Sequence, residues 1–72
     1  MKMNKKQTLL LAKIEEARFI FNISDYTKKE SYNFNWGYMS ALEVAASIMG
    51  IDGSEIDAAK YRGESRALLG KG

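Results

Sequence analysis

The sequence predicts an all-α fold: a small domain of three to four helices that contains a helix-turn-helix-like hairpin. Three observations carry this expectation. The 72 residues include no proline, so nothing in the chain forbids long helices. Apolar residues near the amino terminus recur at helical steps, and nothing else alternates convincingly enough to pair as a sheet. Residues 42–59 also fit the pattern of two helices joined by a short glycine turn.

The first helix is expected over 5–22. Asn4 and Gln7 stand three apart in the form of a capping box, a side chain and a backbone N–H exchanged in both directions. Leu10, Ile14, Ala17 and Phe21 then fall on one face, with Leu11 and Phe19 widening it and Lys6, Lys13, Glu16 and Arg18 opposite. Asn22 to Asp25 prefer turns and end the element.

Residues 24–36 read as an ordered aromatic loop. Thr27 and Glu30 have a second capping spacing, and Tyr32, Phe34, Trp36 and Tyr38 alternate with Asn33, Asn35 and Gly37. That is the period of a strand, but a lone strand has no partner in so short a chain. A helix over 37–49 follows, with Asn35, or Ser40 with Glu43, as its cap. Tyr38, Leu42, Ala45 and Met49 share its inner face, and Gly50 is placed to end it as a left-handed residue. The last helix is expected over 54–69, opened by Ser54 and Asp57, with Ile56, Ala59 and Tyr61 turned inward. Gly63 inside it costs about 1 kcal/mol of helix propensity, which predicts a break there. Ala67–Leu69 can pack back, and Gly70–Gly72 fray.

Composition narrows the function classes. The chain has no cysteine and no histidine, so disulfides, thiolate metal sites and the commonest general base are all missing. A hydroxyl nucleophile needs an adjacent base or a tuned lysine, and the acidic pairs Glu15–Glu16 and Glu55/Asp57 have the pattern of solvated helix faces. The six glycines are scattered and form no phosphate loop. The expectation is a binding protein, with no catalytic residue, metal, cofactor or small-molecule substrate. The apolar run Leu9–Ala12 is too short for a secretory leader or a membrane span, which places the chain in a cytoplasm.

In the helix-turn-helix pattern, Ala46 is the small residue where the helices cross, Gly50 the turn, Ile51 the apolar residue after it, and Ile56 and Ala59 the buried positions of the second helix. A DNA reader would place the amino-terminal end of that second helix at base edges, yet Asp52, Ser54, Glu55 and Asp57 stand there. Residues 30–59 carry five carboxylates and no Lys or Arg, while Lys2, Lys5, Lys6, Lys13, Arg18, Lys28 and Lys29 crowd the first 29. The net charge of +2 hides this division. Helix-dipole complementarity accounts for Asp52, Glu55 and Asp57 by position, though not for so long a stretch without a base.

Seven of the eight aromatics lie between Phe19 and Tyr38. Phe21, Phe19 and Trp36 are expected in the core, but the cluster exceeds what a domain this small buries, and Tyr and Trp favour binding hot spots. The candidate protein-binding residues are Asp25, Tyr26, Glu30, Tyr32, Phe34, Trp36 and Tyr38. Their carboxylates suit a partner with a basic surface.

The pattern of Ala46, Gly50 and Ile56 beside the Tyr32–Tyr38 aromatic run resembles the small antirepressors of temperate phages. In type and length it is most similar to the modulator-of-repression proteins. That resemblance implies a bacterial host cell and a phage repressor's DNA-binding domain as partner, its operator-reading face covered so that the lytic programme is favoured. The alternative is a direct DNA-binding regulator using Lys60, Arg62, Arg66 and the basic amino terminus, which makes direct nucleic-acid contact secondary. An inhibitor of a host nucleic-acid enzyme, or an antitoxin, suits the same charges.

Overall fold

A computed structural model describes residues 3–70, so the Lys2 charge and the end of the glycine tail lie outside the described residues. Three helices follow in order: α1, Lys5–Ile23; α2, Lys29–Ile48; α3, Gly53–Gly70. Among the described residues there is no strand.

The expected capping box forms at the head of α1. The Asn4 Oδ1 accepts from the Gln7 N–H at 2.9 Å, and the Gln7 Oε1 accepts from the Asn4 N–H at 3.0 Å. The remaining amide of Gln7 donates to the Met49 carbonyl at 3.0 Å, which ties the start of α1 to the end of α2. Leu11, Ile14 and Ala17 are the buried residues of α1. Leu10 and Phe21 lie half-buried at the margin of that face.

α2 starts eight residues before the expected 37, so the aromatic loop over 24–36 is corrected to a short turn followed by helix. The Asp25 carboxylate accepts the Thr27 N–H at 2.9 Å and its hydroxyl as well, an Asx turn that reverses the chain. Lys28 is the N-cap and supplies no side-chain bond, so Thr27 and Glu30 do not form the expected cap. Asn35 is no cap either. It sits inside α2 and donates to the Ser24 Oγ at 2.6 Å, while that hydroxyl donates to the Ile20 carbonyl at 2.7 Å.

Helical geometry turns the aromatic alternation into two separate i,i+4 pairs. Tyr32 and Trp36 both reach Phe21 of α1, with ring centroids 4.9 and 5.7 Å away. Their docking sets the rotation of α2. Met39 and Ala46 are therefore its buried residues, with Leu42 and Ala45 half-buried, while Tyr38 and Met49 lie outside the core expected of them.

The hairpin turn forms as its glycine requires. Gly50 takes φ 81°, the left-handed region. Its N–H donates to the Ser47 carbonyl at 3.0 Å and the Ile51 N–H to the Ala46 carbonyl at 3.1 Å, the paired bonds of a Schellman cap. The Asp52 carbonyl then accepts from Glu55 and Ile56, so α3 begins ahead of Ser54, which is not its cap. Ala46, Ile51, Ile56 and Ala59 pack with Leu11 and Ile14 in one cluster. α1 packs against both other helices, whereas α2 and α3 touch each other little, so α1 fills the space between the arms of the hairpin.

α3 does not break at Gly63. Ile56, Ala59, Gly63 and Ala67 form its buried stripe, at helical steps of three and four. A Cβ at Gly63 would overlap the Glu15 carbonyl and stand 2.8 Å from the Arg18 Cβ, so the glycine is where α3 crosses α1 most closely. Tyr61, Leu68 and Leu69 point to solvent instead of inward. The molecule measures 40 × 26 × 17 Å, and many large apolar side chains stand on its faces.

Candidate interaction surface

The seven residues singled out for partner binding fall into two groups. Asp25 and Tyr26 occupy the turn between α1 and α2, and Glu30 the first turn of α2, where its charge complements the helix dipole. All three are exposed. The two hydrogen bonds from Thr27, that of its hydroxyl first, hold the Asp25 carboxyl below its usual range.

Phe34 and Tyr38, one turn apart on the outer side of α2, stack with centroids 6.3 Å apart and planes within 4°. Phe34 is 71% exposed and Tyr26 77% exposed, too open to be core residues. Tyr32 and Trp36 are turned the other way, onto Phe21. The Tyr32 ring is half-buried there, and Trp36, expected in the core, keeps 53% of its surface in water. The structure therefore brings Asp25, Tyr26, Glu30, Phe34 and Tyr38 into the open, and gives Tyr32 and Trp36 a packing role as well.

The exposed apolar residues of α2 do not stop at Tyr38. Val44 and Ile48 extend the row beyond the aromatic cluster. The sequence reading missed them because it set α2 on a different inner face. The spacing of Ile48 from Phe34, fourteen residues and so about 40° around a helix, was the available signal.

Of the cations of the DNA-binding alternative, the three on α3 are engaged within the molecule, while the amino-terminal Lys5, Lys6 and Lys13 are exposed. Arg62 Nε lies 2.9 Å and Arg66 Nη1 3.2 Å from the two oxygens of Glu15, and Lys60 Nζ lies 3.2 Å from Glu43. The Arg66 guanidinium also sits 4.7 Å over the Phe19 ring. The Arg62 hydrogen bond is the main influence on Glu15 and, with Arg66, outweighs partial desolvation to hold its carboxyl below the usual range. Arg18 bridges α1 and α3 through Glu64 at 2.8 Å and reaches the Met39 sulfur of α2 at 3.9 Å. Asp52, Glu55 and Asp57 meanwhile stand exposed at the start of α3, where a reading helix would meet base edges between two rows of phosphates.

Among the described residues no group of three or more His, Cys, Asp or Glu side chains is arranged to hold a metal ion. No described helix is long and apolar enough to cross a membrane. The architecture is that of a small three-helix domain with an open aromatic face. No family model, curated protein or solved structure matches the chain.

Proposed function

We propose that this chain is a protein-binding modulator of transcription, an antirepressor that covers the DNA-binding domain of a phage repressor and blocks operator binding. One set of exposures carries the reading: Tyr26 in the α1–α2 turn and the stacked Phe34–Tyr38 pair on α2 stand open, and the carboxylates Asp25, in that turn, and Glu30, one helical turn before Phe34, are open too. Large rings supply contact area at low entropic cost, and carboxylates beside them meet the Arg and Lys that a DNA-binding domain holds ready for phosphate. Complementary charge speeds the encounter, and the aromatics supply most of the affinity.

The ion pairs weaken the part of the direct DNA-binding alternative that rests on α3, and leave the exposed amino-terminal Lys5, Lys6 and Lys13 as its remaining cations. Lys60, Arg62 and Arg66 are each paired to a carboxylate of this same chain, and the start of α3 is acidic. Counterion release, which drives most phosphate binding, needs cations that are not already neutralised.

Calorimetric titration with the repressor's DNA-binding domain is expected to show saturable binding, and titration with operator duplex to show none. Saturable, steeply salt-dependent binding of the duplex by the isolated chain would favour the DNA-binding reading instead.

A further inference from the structure

The outer face of α2 has a pattern that partner binding at its amino-terminal end does not require. Phe34, Ala41 and Ile48 are spaced by seven residues and fall within about 40° of one another around the helix. Tyr38 flanks this row on one side and Val44 on the other, and the stripe lies roughly opposite the buried Met39 and Ala46. The large residues are all open, with Val44 60% and Ile48 81% exposed. Ala41 at the centre is exposed too.

The positions of large apolar and of small residues in the stripe are symmetric about Ala41. Phe34 and Ile48 lie seven residues to either side, Tyr38 and Val44 three, Gly37 and Ala45 four. In an antiparallel pair of α2 helices centred on Ala41, Phe34 would meet Ile48 of the other copy and Tyr38 would meet its Val44. The small Gly37, Ala41 and Ala45 would let the backbones approach at the crossing. A two-fold axis demands this self-complementarity, because each residue must suit its mirror position on the same sequence. Charge gives a second argument. From Ser31 to Ile51 the only charged residue is Glu43, and it is ion-paired with Lys60. A charged partner would find nothing to pair with along this stretch, whereas a second copy is equally neutral.

We propose that the outer face of α2 is a self-association surface, covered in solution by α2 of a second copy in an antiparallel, two-fold arrangement centred on Ala41. The five side chains would bury roughly 800–1,000 Å² over both copies, at the low end of specific interfaces, so the dimer exchanges with monomer. The dimer does not rest on the antirepressor reading, although it competes for Phe34 and Tyr38.

Sedimentation of the full chain from micromolar to millimolar concentration tests it. The mass is expected to rise from that of the 8.1 kDa monomer toward twice that value. Ala41→Glu, with its helical circular dichroism retained, is expected to stay monomeric, because it places two carboxylates on the axis. The chain has no cysteine, so Ala41→Cys provides an independent measurement. Under oxidised glutathione it should form a disulfide-linked dimer at least tenfold faster than Asp57→Cys, on an exposed part of α3. A wild-type mass fixed at the monomer value would overturn the proposal and leave the face to another partner. Dimerisation that survives Ala41→Glu, or equal cross-linking rates for the two cysteine variants, would also overturn it. Ala41 lies outside the residues assigned to the repressor. Operator release by monomeric Ala41→Glu therefore leaves the antirepressor reading standing, and a dimer that releases no operator sinks only that reading.

Discussion

Gly63 of α3 faces Arg18 of α1 so closely that a methyl group at Gly63 would stand 2.8 Å from the Arg18 Cβ and overlap the neighbouring Glu15 carbonyl. Backbone cannot give way as a flexible side chain can, so the two helices would have to part. Gly63→Ala gains about 1 kcal/mol in helix propensity and loses more to overpacking. The expected net effect is a destabilisation of about 2 kcal/mol in urea unfolding. Gly37 stands inside α2 with nothing near its missing Cβ, so Gly37→Ala is expected to stabilise by about 0.5–1 kcal/mol. Equal effects of the two substitutions would contradict this account of the crossing.

Much of the fold was legible where the interaction is local. The Asn4–Gln7 box and the Gly50 cap each close within a few residues, and both form where their spacing places them. Ala46, Ile51, Ile56 and Ala59 were readable because the hairpin pattern fixes their faces, and all four are buried. The amino-terminal half of α2 was not legible. Rings at every second position satisfy a strand period, and they also satisfy two helical pairs. The choice between them is made by Phe21, eleven residues before Tyr32. Gly63 was misread for a different reason. Propensity treats a mid-helix glycine as a cost, and only its alignment with Ile56, Ala59 and Ala67 marks it as a contact. Of the candidate site, Tyr26, Phe34 and Tyr38 are exposed, while the docking of Tyr32 and Trp36 depended on the missed helix.

Gly50→Ala isolates the hairpin turn. Nothing lies near the missing Cβ, so the cost comes from the positive φ alone, about 1–2 kcal/mol. Gly50→Asn, which tolerates that conformation better, is expected to recover part of the loss in the same unfolding assay.

Glu15 makes stability depend on acid. Its carboxyl is held below the usual value of 4.5, chiefly by the Arg62 hydrogen bond. A depressed folded value contributes stability that is fully present above the unfolded value and is lost as pH falls through the folded one. Partly exposed pairs are worth at most about 1 kcal/mol, so Glu15→Gln should destabilise slightly at neutral pH. Its stability should also fall less steeply than that of wild type as pH drops from neutrality to below the folded value. Parallel pH profiles would show that the pairs with Arg62 and Arg66 contribute nothing.

Phe34 and Trp36 should separate binding from folding. Phe34→Ala removes a ring with little packing, and unfolding should change by no more than about 0.5 kcal/mol. Trp36→Ala takes away a ring docked on Phe21 and should cost about 1–2 kcal/mol of stability. If Phe34 is an anchor of the repressor complex, its truncation weakens that complex by about 2 kcal/mol or more, read by calorimetric titration. Undiminished affinity in folded Phe34→Ala would remove it from the binding surface.

Release of a repressor from its operator tests the antirepressor claim most directly. In a gel shift, the cognate repressor bound to operator duplex is titrated with this chain. Free duplex is expected to appear in proportion to added chain, with no complex of the chain with duplex alone and a right-shifted titration for Phe34→Ala. A repressor that stays on its operator at saturating chain, or a salt-sensitive complex of the chain itself with the duplex, would contradict it.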